Sequence, residues 1–205
     1  MMLAAGMRRW RCAGEQDPTD ADLPRSSRRT REAMTHETSS SVGAFSIRPL
    51  QPRDWERVRG IYAAGMATGI ATFETVVPSA EELDQKWIPE QRWVATSPSG
   101  LVLGWAALSP TSSRSCYRGV VETSVYVAPE STGRGVGRAL VDHQVRAAVD
   151  AGFWTLQSSI FAENHASLAL HRSAGFREVG IRERIAQRDG VWHDTVLIEF
   201  RANTP

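Results

Sequence analysis

Ser124-Val125-Tyr126-Val127-Ala128-Pro129, followed by Gly133-Arg134-Gly135-Val136-Gly137-Arg138 and an amphipathic run to Gly152, decides how this 205-residue chain is read. The first piece predicts a strand, the glycines a tight loop, and the stripe Leu140, Val141, Val145, Ala148 and Val149 a helix that Gly152 ends. A strand that passes through glycines into a helix start gathers unpaired N–H groups at one point, where the helix dipole also favours negative charge. Arg134 and Arg138 add positive charge beside them. A phosphate-bearing cofactor is the ligand this pattern predicts.

Working outward, Val120–Val127 is the strand that enters the loop, and its apolar run predicts burial on both faces. Pro110–Gly119 before it is polar and loop-like. Arg92–Thr96 and Leu101–Leu108 read as strands joined by a turn at Pro98-Ser99-Gly100. Ser79, with Glu82 three places on, predicts a capping box for a helix through Trp87 that stops before Pro89. Ile70–Glu74 is a loop or short extended piece. Upstream, Asp54 is the candidate N-cap of a helix carrying Trp55, Val58, Ile61, Tyr62 and Met66, broken by Gly65 and Gly69; Phe45–Leu50 is a short strand. Beyond Gly152, Thr155–Phe161 reads as a strand, and Asn164 or Ser167 starts a helix through Ala174, closed by Gly175. Phe176–Ile185 and Val191–Phe200 form a hairpin about Asp189-Gly190. The sum is one α/β domain over residues 45–200, with 201–205 as a tail.

Composition narrows the function. With 41% apolar and 23% charged residues the chain suits one well-buried soluble domain, and a formal net charge of +1 argues against a nucleic-acid surface. No apolar run approaches the ~20 residues that span a bilayer. Cys12 and Cys116 supply neither a disulfide framework nor a zinc cluster, so no metal and a reducing, cytoplasmic compartment are expected. Residues 1–44 mix Arg8, Arg9, Arg11, Arg25, Arg28, Arg29 and Arg31 with acids, Pro and Ser, and are expected to be disordered, or partly an over-extended reading frame ahead of Met34, rather than a targeting or partner-binding arm.

Among phosphate ligands, dinucleotides and nucleotide triphosphates fit poorly. Gly133, Gly135 and Gly137 give G-x-G-x-G, not G-x-G-x-x-G, and no acidic residue ends a strand about 20 positions later. Gly137-Arg138-Ala139 stands where a P-loop needs G-K-[ST]. Coenzyme A remains. The run Val125–Val127 with Gly133–Leu140 resembles the acyl-CoA signature of the GNAT N-acetyltransferase superfamily, and Asn164–Phe176 resembles its second motif. Thr72-Phe73-Glu74, the stretch from Tyr117 through Glu122 to Val127, and Gly190–Asp194 are similar to the phosphinothricin and methionine-sulfoximine acetyltransferases within it. The resemblance covers nearly all of 45–200. It implies the GNAT acyl-CoA N-acyltransferase fold, a mixed central sheet flanked by helices, with acetyl-CoA as donor and a homodimer as the assembly. Thr132 departs from the Gln or Arg usual at the loop's opening, which puts the diphosphate grip on backbone amides.

The resemblance also assigns roles. Glu122 is the expected general base toward an amine, the alternative being a strand-end salt bridge; an α-ammonium, with a pKa of about 7.7–8.0, needs only modest help to lose its proton. His171 is the candidate acid for the departing thiolate, or a packing residue. Val125 and Val127 offer main-chain N–H groups to the thioester carbonyl, and Tyr126, Gly133, Arg134, Gly135, Val136, Gly137, Arg138, Asn164 and Ser173 complete the cofactor set. On the acceptor side stand Phe73, Arg114, Tyr117, Glu122, Thr123, Ser124 and His193, with Arg114 suited to grip a carboxylate. Gly119 replaces an aromatic of some phosphinothricin-specific relatives, which weakens that preference. The expected reaction is direct transfer of acetyl to the α-amino group of a small amino acid or analogue: methionine sulfoximine, methionine sulfone or phosphinothricin. A peptide, polyamine or aminoglycoside acceptor, and a CoA-binding sensor without catalysis, stay open.

Overall fold

In the computed structural model, which describes residues 45–202, one sheet of seven strands carries helices on both faces. In chain order the elements are β1 (Ser46–Pro49), α1 (Trp55–Ala67), α2 (Ala80–Lys86), β2 (Arg92–Thr96), β3 (Val102–Pro110), β4 (Val120–Val127), α3 (Val136–Asp150), β5 (Thr155–Phe161), α4 (His165–Ser173), β6 (Arg177–Arg188) and β7 (Val191–Arg201). The spatial order is β1-β2-β3-β4-β5-β7-β6. Every neighbouring pair is antiparallel except β4 and β5, which run parallel. The readings for residues 1–44 lie outside the described residues. Among the described residues no helix is long and apolar enough to cross a membrane, and no group of three metal-ligating side chains gathers.

β3 shows how the core divides. It is buried along almost its whole length, and its period-two alternation sends Trp105 and Ala107 to one face and Ala106 and Leu108 to the other. Trp105 joins Val58, Ile61 and Tyr62 of α1 and Leu83 of α2, whereas Leu108 joins Val141 and Ala148 of α3 with Leu156 of β5. A stack of aromatic rings runs through the first cluster, with Trp105 4.6 Å from Tyr126 and Tyr126 4.9 Å from Tyr62, centroid to centroid.

Several local expectations need correction. Asp54 does not cap α1 with its side chain; it pairs with Arg48 at 2.7 Å and accepts from the Gln51 N–H at 2.8 Å, closing the 3-10 turn Pro52–Asp54. Gly65 does not break α1. It sits in the last turn because a Cβ there would lie 2.6 Å from the Tyr126 ring, and the left-handed Gly69 follows the helix end. Val149 is exposed; the buried stripe of α3 is Val136, Leu140, Val141, Gln144 and Ala148, an i, i+4 pattern that admits one polar residue. β4 is not buried on both faces, since Glu122 is exposed and Ser124–Val127 are half-buried against an open cleft. β3 starts after Leu101, and β6 and β7 run on to Arg188 and Arg201. The Ser79–Glu82 capping box and the Asp189-Gly190 turn, both residues at positive φ, form as read.

Candidate functional site

The cleft begins where two parallel strands part. β4 and β5 pair only over Val120–Glu122 and Thr155–Gln157, although β4 continues to Val127 and β5 to Phe161. Ala128 N–H donates to the Leu103 carbonyl at 2.8 Å. By the alternation of an antiparallel ladder, Tyr126, Ser124 and Glu122 then bond to β3, and the N–H groups of Val125 and Val127 face the gap. Their side chains pack toward α3, whereas Glu122, Ser124 and Tyr126 lie on the opposite face. Tyr126 OH donates to the Ala71 carbonyl at 3.2 Å, and burial pushes its phenol far above the usual pKa. Its ring is therefore a fixed part of the cleft wall.

The glycine loop closes one end. Gly133 and Gly135 adopt left-handed backbone, at φ +75° and +80°, which a side chain would strain. Gly135 is the N-cap of α3, and its carbonyl takes the first helical bond from Ala139. That leaves the N–H groups of Val136, Gly137 and Arg138 without helical partners at the positive end of the dipole. At Gly137 an added Cβ would stand 3.2 Å from Leu170 and 3.3 Å from Val127, so the helix start packs tightly between α4 and β4. These features fit a diphosphate. Arg138 lines the cleft but its guanidinium pairs with Asp142 at 2.7 Å, and Arg134 points outward, so amides carry most of the attraction.

The cleft encloses about 730 Å³ and draws together Phe73, Glu122, Thr123, Ser124, Val125, Tyr126, Val127, Gly133, Gly135, Val136, Gly137, Arg138, Asn164 and His171. Asn164 caps α4 by accepting from the Ser167 N–H at 3.1 Å and donates to the Ile70 carbonyl at 3.2 Å, which leaves one amide hydrogen for a ligand. His171 is buried, with Nδ1 2.8 Å from the Ser167 carbonyl oxygen and its ring edge-on to Phe176. Because a carbonyl only accepts, Nδ1 holds the proton of the neutral ring and Nε2, which has no partner among the described residues, offers a lone pair. Burial lowers the pKa of this imidazole despite that hydrogen bond. A proton-donating role for His171 does not follow from this geometry.

Other expected residues lie apart. Ser173 is exposed on the last turn of α4 and donates to Leu170 at 2.7 Å. Arg114 and Tyr117 stand on the exposed 111–119 loop, the guanidinium 5.5 Å from the Tyr117 ring centre, outside the cleft lining. His193 stacks on Phe161 at 4.8 Å, and Phe73 meets the same ring edge-on at 4.3 Å, so His193 backs the wall that Phe73 and Phe161 present. Gly119 has a local reason: an added Cβ would lie 2.2 Å from the Trp154 ring, which fills the space an aromatic at 119 would need.

Sequence reasoning missed three contributors. Lys86, at the end of α2, borders the cleft and the groove beside Glu74 and Glu82, and makes no ion pair among the described residues. Gln144, buried in the apolar stripe of α3, accepts from Thr123 and ties that helix to β4. Arg188 reaches from the β6–β7 hairpin to the loop after α1. None carries a local signal. Chemically, the arrangement sets a carboxylate and a cation at one side of a gap lined by main-chain donors, with an anion cradle at the other end.

The chain has known relatives. Residues 59–176 match the model of the acetyltransferase (GNAT) family. The phosphinothricin N-acetyltransferase of Alcaligenes faecalis is 32% identical over 169 residues, 78% of this chain and 84% of that protein. The L-methionine sulfoximine/L-methionine sulfone acetyltransferase of Pseudomonas aeruginosa is 32% identical over 163 residues, 76% of this chain and 93% of the relative. A GNAT superfamily phosphinothricin acetyltransferase from Sinorhizobium meliloti, solved in complex with acetyl-CoA, superposes with a TM-score of 0.71 at 29% identity, covering 78% of this chain and 89% of that one.

Proposed function

This chain belongs to the GNAT acetyltransferase family, and from that premise we propose that it acetylates the α-amino group of a small amino acid or amino-acid analogue, with methionine sulfoximine, methionine sulfone and phosphinothricin as the first candidates. The observation that carries this reading is the exposed Glu122 at the point where β4 leaves β5, lining the same cleft as the unpaired edge of Val125 and Val127. Bound in the cleft, acetyl-CoA supplies the acetyl group as a thioester.

Glu122 takes the proton of the incoming ammonium, directly or through one water, which frees the amine to attack. The N–H groups of Val125 and Val127 would donate to the thioester carbonyl oxygen, a role that preorganised main-chain donors perform without reorganisation. As the C–N bond forms and the C–S bond breaks, the thiolate would leave and take up, through water, the second proton that the nitrogen sheds. Val136, Gly137 and Arg138 hold the diphosphate, with Gly133 and Gly135 giving the loop its shape. Lys86 is the cation for the acceptor's acidic group, since Arg114 stands outside the cleft lining. Phe73 and Phe161 form the apolar wall, and Thr123 and Ser124 border it. His171 serves as a neutral hydrogen-bond acceptor. The transfer needs no covalent enzyme intermediate, and Cys116, the cysteine among the described residues, does not line the cleft. A reducing cytoplasmic setting belongs to the reading by cysteine usage and a homodimer by resemblance, and light scattering at twice the chain mass tests the latter.

Thiol release from acetyl-CoA, followed over a panel of amino acids, polyamines, aminoglycosides and peptides, tests the acceptor class. Release with methionine sulfone or phosphinothricin supports the reading. Release only with polyamines or aminoglycosides would replace the acceptor, and binding without release to any amine would leave a CoA sensor.

A further inference from the structure

The loop between α1 and α2 is neither helix nor strand from Thr68 to Ser79, yet it brings Thr72, Phe73 and Glu74 into the cleft. Three successive carbonyls of this loop are held by side chains from three distant elements. Asn164 donates to Ile70 at 3.2 Å, Tyr126 to Ala71 at 3.2 Å, and Arg188 Nη1 to Thr72 at 3.0 Å. Arg188 Nη2 also donates to the Met66 carbonyl at 2.8 Å, in the last turn of α1, where a cation meets the negative end of the helix dipole. One planar guanidinium therefore pins both the end of α1 and the loop that leaves it.

Arg188 differs from the other two struts. Asn164 and Tyr126 line the cleft, whereas Arg188 does not, and its side chain is only 14% exposed. Its hydrogen bonds are charge-assisted, as is that of Arg59 Nε to the Pro78 carbonyl at 2.8 Å, but only Arg188 makes such a bond within the cleft-lining stretch of the loop. The remaining ties, including the Phe73–Phe161 contact at 4.3 Å, keep the loop near its place when Arg188 is lost.

We propose that Arg188 is a positioning residue for the acceptor: it fixes Thr72, Phe73 and Glu74 against the acceptor side of the cleft and so sets acceptor affinity without touching either substrate. The inference rests on the reading that this side of the cleft receives the amine. It requires no part of the donor cradle, which lies on α3 and β4.

The test compares wild type, Arg188→Ala and Arg188→Lys. Arg188→Ala should raise the acceptor KM about tenfold while the acetyl-CoA Kd, from calorimetry, moves less than about twofold. Arg188→Lys, which keeps the charge but cannot fork to two carbonyls as an arginine does, should fall between them. A second readout is independent of activity: a glutamate-specific protease should cut at Glu74 faster in Arg188→Ala than in wild type. An unchanged acceptor KM or an unchanged cutting rate at Glu74 overturns the proposal, as does a parallel loss of acetyl-CoA affinity, which would mark Arg188 as a support of the whole fold. A wild-type protein that acetylates no amine would fail the functional reading instead, and the cutting rate would still decide whether Arg188 holds the loop.

Discussion

The two sides of the cleft, proposed to take the donor and the acceptor, are made from different material. The donor side is backbone: the unpaired edge of β4 past Glu122 and the N–H groups at the start of α3. The acceptor side is side chains: Phe73, Glu74, Lys86 and Glu122, carried partly on a loop that other side chains hold in place. A backbone cradle asks only for strand register and for glycine where φ is positive, so it tolerates Thr132 at its opening. A side-chain cradle changes with every substitution. The difference teaches that the donor can be read from a motif, whereas the acceptor depends on which residues happen to meet.

Removing the base should break the acceptor side most severely. Glu122→Gln is expected to lower kcat by roughly 10²–10⁴-fold with acetyl-CoA affinity unaltered, as steady-state kinetics and calorimetry would show. Gly135→Val attacks the other side by forcing a β-branched residue to φ +80°. About 1–2 kcal/mol of strain at that position should weaken acetyl-CoA binding by roughly five- to thirtyfold, with acceptor KM little affected. Lys86→Met should raise the KM of an acidic acceptor by about three- to tenfold and leave that of an uncharged amine near wild type. An equal effect on both would deny Lys86 a contact with the acidic group.

The smallest effect concerns stability. Burial, with the charge of Arg146 for His143, lowers the pKa of His143 and His171 from 6.5, so both are neutral in the folded protein. The unfolded chain then binds more protons below pH about 6.5, and stability should be full above that value and decline as the pH falls through the lowered pKa values. Thermal melts from pH 7.5 to 5 should show a falling Tm, less steep in His143→Gln.

The legible parts of this molecule were those specified by neighbours in sequence. Ser79 and Glu82 cap α2 through contacts three residues apart, Asp189-Gly190 turns a hairpin by its own backbone preference, and Gly133 and Gly135 shape the loop by φ alone. Asn164 rather than Ser167 starts α4, a choice settled by which side chain reaches the free N–H of the first turn. What escaped was set by distant partners. Arg188 lies 116 residues from Thr72, and a terminal hairpin arginine looks like any solvated charge until the fold closes. Gln144 sits in an apolar stripe because Thr123 across the sheet needs an acceptor. Asp54 stands at the N-cap position of α1, but its side chain turns to Arg48 of β1 and the Gln51 N–H instead of the helix. Arg114 suited a carboxylate by chemistry, but the 111–119 loop carries it away from the cleft.

Calorimetric titration with acetyl-CoA and, in parallel, with S-acetylpantetheine tests most directly whether main-chain donors hold the donor by its diphosphate. The two ligands share the thioester and pantetheine arm and differ in the diphosphate that the start of α3 would grip, together with the 3′-phosphoadenosine attached to it. The account predicts that acetyl-CoA binds at least about a hundredfold more tightly, as two or more charge-assisted hydrogen bonds imply. Equal affinities, or no heat with acetyl-CoA at millimolar concentration, would contradict it.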